Sequence, residues 1–163
     1  MITENTCMKL GFEIDAALDG KVCQTKFSNL LKGRTFVSVY MRDNTSACDK
    51  QIDALIAEAK TFSHMGVKVI AVSRDRAAAH LAYAEKKGIN FTLVSDPADL
   101  FSKAADAVVE KSTFGKKYMG PTRACYLLDE SGVVIKLIPA VNVAKHVEQI
   151  RTCLSAISQS ARV

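Results

Sequence analysis

Hydrophobic positions along the chain follow two periods, and the switches between them mark its elements. Thr35-Phe36-Val37-Ser38-Val39-Tyr40 is a β-branched and aromatic run with the length of a buried strand. From Ser46 to about His64, Ile52, Leu55, Ile56, Ala59 and Phe62 recur at helical spacing, and Gly66 follows as a stop. That spacing predicts an amphipathic helix with Cys48, one turn before Ile52, on its inward face and in its first turn. Val67 to Val72 then reads as a second apolar strand, Ala77 to Lys87 as a helix closed by Gly88, and Phe91 to Val94 as a third strand. Asp96-Pro97 is expected to open a short helix running through Val109.

Toward the N-terminus, the segments Leu10 to Ile14 and Lys21 to Phe27 flank Leu18-Asp19-Gly20, and Asp-Gly is a strong two-residue turn signal. A small hairpin is expected there. The stretch from about Lys111 to Pro121, rich in Gly, Lys and Ser, reads as a loop. Beyond it, Ala124 to Leu128 and Val133 to Ile138 flank the turn Asp129-Glu130-Ser131-Gly132. The last helix carries Val143, Val147, Ile150, Leu154 and Ile157 on one stripe and is expected to close the core. Apolar strands alternating with helices predict an α/β fold: a central mixed sheet with parallel pairings, flanked by helices and preceded by the hairpin.

At 163 residues and 48% hydrophobic, the chain has the size of one domain, expected to span 1–163. It contains neither a long apolar run nor the basic-then-apolar start of a secretory signal, so a cytoplasmic protein without a membrane partner is expected. The net charge of +5 comes from basic residues scattered among acidic ones, which argues against a nucleic-acid partner. Lys111, Lys116 and Lys117 cluster beside Tyr118, but a solvated loop accounts for them. His64, His80 and His146 have no metal or triad spacing and read as surface or helix-end residues. No metal or organic cofactor is expected.

Five cysteines, Cys7, Cys23, Cys48, Cys125 and Cys153, form an odd set without a C-x-x-C pair, which disfavours zinc-binding and dithiol-reductase readings. A reactive thiol needs a lowered pKa, and reaction with a peroxide also needs support for charge developing on the leaving oxygen. Cys48 has the right place, because it follows a strand and a polar turn and enters the first turn of a helix, where free N–H groups and the dipole favour an anion. Thr45 is a candidate cap or ligand contact, Arg123 a candidate supporting cation at the mouth of the strand 124–128, and the N–H groups near Ala47 and Cys48 candidate donors.

The segment TFVSVYMRDNTSAC, residues 35–48, resembles the active-site segment of the peroxiredoxins, in which an aromatic strand end runs into Pro-x-x-x-Thr-x-x-Cys. The resemblance continues in FEIDAALDGK, in VKVIAVSRDRAAAHLAYAEKKGINFTLVSDP and in FGKKYMGPTRACYLLDESG, and is to the bacterioferritin-comigratory branch over about residues 9 to 154. It implies a thioredoxin-like fold and a thiol peroxidase that reduces hydrogen peroxide and alkyl hydroperoxides through a Cys48 sulfenic acid. It further implies that Thr45 and Arg123 are catalytic and that Tyr40, Met41 and Ala47 border the peroxide. Regeneration would use an external thiol of thioredoxin, glutathione or glutaredoxin type, by a monomer or weak homodimer.

The chain departs from that pattern twice. Met41 stands where the family has proline, so the ring that walls the thiolate from water is missing. The usual positions of a resolving cysteine hold Asp53 and the cysteine-free segment Ala77 to Lys87, so a one-cysteine cycle is expected. Cys125 and Cys23 are the internal alternatives as resolving thiols, while packing accounts for Cys125 and Cys153 as they stand. A weakened member acting as a redox sensor or binding module is the rival reading.

Overall fold

The computed structural model describes residues 1–160; residues 161–163, part of the span expected for the domain, lie outside the described residues. The N-terminal hairpin pairs β1 (Glu13–Leu18) with β2 (Lys21–Lys26), and Asp19 and Gly20 turn it with φ of 52° and 75°. The first strand therefore lies nearer the turn than the expected Leu10 to Ile14. Leu10 and Ile14 are buried, one ahead of the strand and one within it. A 3-10 turn at Phe27–Leu30 leads to β3 (Thr35–Val39), which is buried along its whole length.

After β3 come α1 (Ser46–Ala57), α2 (Ala59–His64), β4 (Lys68–Ser73), α3 (Ala77–Lys87) and β5 (Thr92–Ser95). The single helix expected over 46–64 is broken at Glu58, where the backbone leaves the helical region. The Glu58 carboxylate is buried and accepts hydrogen bonds from Arg151 Nε (2.8 Å) and Thr61 Oγ1 (2.9 Å), so the break places an acid where the last helix can reach it. Gly88 ends α3 in the left-handed conformation, φ 68°, as its place in the sequence predicts.

The segment after Asp96 differs from its sequence reading. Only α4 (Leu100–Ala104) is helical, and β6 (Val108–Thr113) and β7 (Lys116–Pro121) form a separate two-stranded hairpin over the residues expected to finish a helix and a loop. Val108 and Val109 suit a strand better than a helix, and the turn, Phe114-Gly115 with φ of 51° and 77°, lacks the Asn or Asp that usually marks it. The chain closes with β8 (Cys125–Leu128), β9 (Val134–Ile138) and α5 (His146–Ser160).

Seven strands form one sheet in the order β2-β1-β5-β4-β3-β8-β9, parallel at β3–β4 and β4–β5 and antiparallel elsewhere. Alternate residues of β3 feed opposite faces. Phe36 and Tyr40 pack with Cys48, Ile52, Leu55, Ile150 and Leu154, whereas Val37 and Val39 pack with Phe27, Phe101 and Tyr126. The first face carries α1 and α5, and the C-terminal end of the central strand β3 delivers the chain into α1 at that edge of the core. Among the described residues, no helix is long and apolar enough to cross a membrane.

Candidate active site

Cys48 lies in the first turn of α1 and is 1% exposed. Its sulfur is ringed by donors. Arg123 Nη1 approaches to 3.3 Å and the Arg42 N–H to 3.4 Å, and the nearby Thr45 hydroxyl and Met41 N–H also favour the thiolate. Burial pushes the thiol up, but these donors outweigh it and hold the Cys48 pKa below the ordinary thiol value. The main-chain donors thus come from the turn, Met41 and Arg42, where the sequence had pointed to Ala47 and Cys48.

Thr45 occupies the N-cap position, yet its side chain does not cap the helix. Its hydroxyl donates to Arg42 O at 3.0 Å, tying the turn to the helix start beside the sulfur. Arg123 stands just ahead of β8, and its Nη1 also donates to Gln51 Oε1 at 2.9 Å. Gln51 is fully buried, and its Nε2 donates to Ser38 Oγ (2.7 Å) and Val39 O (3.0 Å). Sequence reasoning missed this residue, although its place three positions after Cys48 on the same helix face was a usable signal. Gln51 is a bracket that fixes the guanidinium to the central strand.

The Met41 replacement has a consequence that a lost ring does not convey. A proline has no N–H, so Met41 brings a donor to the sulfur that the family residue lacks. Its own Sδ lies 3.0 Å from Lys111 Nζ on β6, which anchors the β6–β7 hairpin against the turn. Arg74 holds the other strand through Met119 O at 3.1 Å.

Tyr40 turns away from the sulfur into a buried polar cluster. Its hydroxyl donates to Asp43 Oδ1 (2.5 Å), Asp43 Oδ2 meets His80 Nδ1 (2.9 Å), and His80 Nε2 meets Val94 O (3.1 Å). Asp75 Oδ2 accepts from the Asp43 N–H (2.8 Å) and from Ser73 Oγ (2.7 Å). His80 is fully buried within α3, against the surface or helix-end position expected for it; His146 does stand at a helix end, the start of α5, but is 1% exposed, with Gln149 as its polar partner (3.0 Å). His64 is exposed at the end of α2. Asp43, Asp75 and His80 have ligand-type atoms within 4.8 Å of one another, but hydrogen bonds already occupy those atoms. The cluster therefore reads as a lock on the turn 41–45.

The remaining cysteines are free and scattered. Cys125 is fully buried; its thiol donates to Ser38 Oγ at 3.4 Å, and burial pushes its pKa up to about 12. Cys153 packs in the same core, its pKa pushed up by burial to about 11. Cys23 is exposed on β2, the edge strand four places from β3, roughly 19 Å away at the usual strand spacing. Cys7 bridges to Val133 near the β8–β9 turn, at the end of the sheet opposite Cys48.

A buried, acidified cysteine at a strand end and helix start, with a guanidinium and a turn N–H converging on its sulfur, is an arrangement suited to attack on an O–O bond. Comparison with known proteins decides the family, since the sequence model of the AhpC/TSA family matches residues 10–137. The chain belongs to that family. A putative peroxiredoxin Bcp of Coxiella burnetii is 34% identical over 74% of this chain and 80% of its own length, and peroxiredoxin Bcp of Bacillus subtilis is 30% identical over 89% and 93%. Peroxiredoxin Q of Xanthomonas campestris superposes with a TM-score of 0.78 at 28% identity, covering 90% of this chain and 91% of that one. A further structure of the Xanthomonas bacterioferritin comigratory protein, with the same TM-score of 0.78 and coverage of 90% and 92%, concerns that protein's alkyl peroxide reduction activity. This peroxiredoxin is thus a thiol peroxidase of the bacterioferritin-comigratory branch, with the thioredoxin-like fold expected of it.

Proposed function

We propose that Cys48 is the thiolate that attacks the peroxide, with hydrogen peroxide and alkyl hydroperoxides as substrates and a one-cysteine cycle. The observation that carries the reading is the convergence of Arg123 Nη1 and the Arg42 N–H on the Cys48 sulfur. The thiolate displaces the far oxygen and becomes a sulfenic acid. The leaving oxygen departs as alkoxide or hydroxide, steadied by Arg123 and by Thr45, and takes a proton from water. Arg123 serves both the starting thiolate and the charge that replaces it, which is why a fixed cation suits this step.

The one-cysteine cycle rests on the placement of the other thiols. Cys125 is buried behind Ser38 with its proton held firmly, Cys153 is likewise pushed toward its neutral form, and Cys23 and Cys7 lie at remote edges. A disulfide needs Cα atoms within about 7 Å, so Cys23 and Cys7 are far out of range of Cys48. An external thiol therefore reduces the sulfenic acid, and excess peroxide competes with it by carrying Cys48 to the sulfinic state. Mass spectrometry after one equivalent of peroxide, with non-reducing peptide mapping, tests both points. Sulfenic Cys48 without a crosslink is expected, and a dominant disulfide to Cys125 or Cys23 would overturn the one-cysteine cycle. Oxidation of Cys48 without turnover under any thiol would favour a redox sensor instead.

A further inference from the structure

The tip of the β6–β7 hairpin sets a phenylalanine where phenylalanine is least at home. Phe114 is 102% exposed and has φ of 51°, a region that bulky side chains rarely enter. Asn or Asp before Gly115 would make the same turn without exposing an aromatic ring. Neither folding nor solubility explains the choice, so the ring is presented to something.

The hairpin face behind the tip tells where. In the β6–β7 register Lys111 lies opposite Tyr118 and Thr113 opposite Lys116, so these side chains share one face. At its inner end the Lys111 stem crosses Gly120, whose missing Cβ would lie 3.2 Å from it, and its ammonium rests on Met41 in the active-site turn. At its outer end Tyr118 is 44% exposed and Lys116 is open to solvent. Among the described residues, neither Lys111 nor Lys116 forms an ion pair, though Asp99 acts on Lys111 at longer range, whereas Lys117 on the other face pairs with Glu110. The result is a platform that carries Tyr118, Lys116 and Lys111, has Phe114 at its outer tip, and runs outward from the Cys48 site.

We propose that this platform docks the protein that regenerates Cys48: a dithiol reductant whose reactive thiol is bordered by apolar side chains and carboxylates. The inference rests on the one-cysteine cycle above. Cys48 is 1% exposed, so a macromolecular thiol reaches it only by seating on the rim, and the rim on this side is the hairpin that Lys111 pins to Met41. In the first step a partner thiol attacks the Cys48 sulfenic acid, forming a mixed disulfide and releasing water. In the second, the partner's other thiol attacks that disulfide, so Cys48 leaves as a thiol and the partner departs oxidised to its own disulfide. Rim charges on this scale act mainly on encounter, whereas a desolvated aromatic anchor supplies affinity.

The test drives turnover of the full chain with a thioredoxin–thioredoxin reductase couple and NADPH, and in parallel with dithiothreitol. Phe114→Ser and Lys116→Glu alter exposed side chains outside the catalytic machinery, and unchanged circular dichroism verifies their folds. Each variant is expected to lower kcat/KM for thioredoxin at least fivefold, while dithiothreitol-driven turnover and the rate of Cys48 oxidation by peroxide stay at wild-type values. Wild-type kinetics with thioredoxin in both variants would overturn the proposal, as would an equal loss with both reductants. So would a Phe114→Ser effect confined to self-association, seen by sedimentation velocity as dimers becoming monomers with recycling unchanged. Retention of peroxidase activity by Cys48→Ser is a different failure: it refutes the assignment of the nucleophile and leaves hairpin docking to be judged by the two variants.

Discussion

Gln51→Leu separates the positioning of Arg123 from its presence. Leucine has nearly the volume of glutamine and keeps the helix, but it deletes the acceptor of the 2.9 Å bond from Arg123 and the donors to Ser38 Oγ and Val39 O. Stripping partners from buried polar groups costs about 1–3 kcal/mol each, part of which the buried leucine offsets, so stability is expected to fall by about 2–3 kcal/mol. Removing one oxyanion donor outright costs two to three orders of magnitude in rate in well-studied enzymes; Arg123 is here loosened rather than lost, so about a tenfold drop is expected. That corresponds to about 1.4 kcal/mol of barrier. Because the chain has no tryptophan, the rate is read by competition with a haem peroxidase for hydrogen peroxide. Gln51→Glu supplies the control: it keeps an acceptor for Arg123 but sets a carboxylate beside the sulfur, and thiolate absorbance should then titrate at higher pH. A Gln51→Leu protein that melts earlier yet consumes peroxide at the wild-type rate would refute the bracket.

Met41→Pro restores the family residue but deletes an N–H that faces sulfur, so the Cys48 thiolate is expected to form at higher pH than in the wild type; an unchanged absorbance titration would show that this donor is idle. His80→Phe leaves Asp43 buried beside Tyr40 without its partner, and urea denaturation should register a loss of about 3 kcal/mol together with slower oxidation of Cys48 as the turn loosens. Stability should also depend on the thiols in opposite senses. Because the folded Cys48 pKa is depressed, the unfolded chain binds more protons between that pKa and the ordinary thiol value, so stability rises with pH through this window and is lost as pH falls back through it. Cys125, raised to about 12, keeps its contribution below the ordinary thiol value and loses it above; denaturation curves of Cys48→Ser should lack the rise and keep the alkaline fall.

What the sequence conveyed follows from the range of the interactions that decide each feature. The strand Thr35–Val39, the helix Ala77–Lys87 with its Gly88 stop and the Asp-Gly hairpin are set by local pattern and turn chemistry, and all three are present. Arg123 lies beside the Cys48 sulfur, and Thr45 stands at the start of the same helix. The β6–β7 hairpin was hidden because its turn uses Phe114 where the local code calls for a small polar residue. Glu58 broke a periodic helix for the sake of Arg151, a partner far along the chain. His80 was invisible for the same reason, since a polar side chain in an apolar stripe announces nothing until the groups that satisfy it are placed, whereas Gln51 could be found only by its helix-face spacing from Cys48.

Three of the five cysteines share one core face, and burial alone would make all of them inert, because it penalises the thiolate in each. The difference lies in what faces the sulfur. Cys125 has the Ser38 hydroxyl at 3.4 Å, on which Gln51 also draws, and the His146 Nε2 at 3.8 Å, where Cys48 has an arginine. Cys48 sits where β3 has ended and α1 has begun, so the N–H groups of Met41 and Arg42 are unclaimed by either element and turn toward it. An arginine reaching over from the neighbouring strand then needs only Gln51 to hold it there. Acidity is therefore a property of the junction rather than of the residue: a cysteine moved one turn into α1 would keep its burial and lose its donors, and would resemble Cys125 instead.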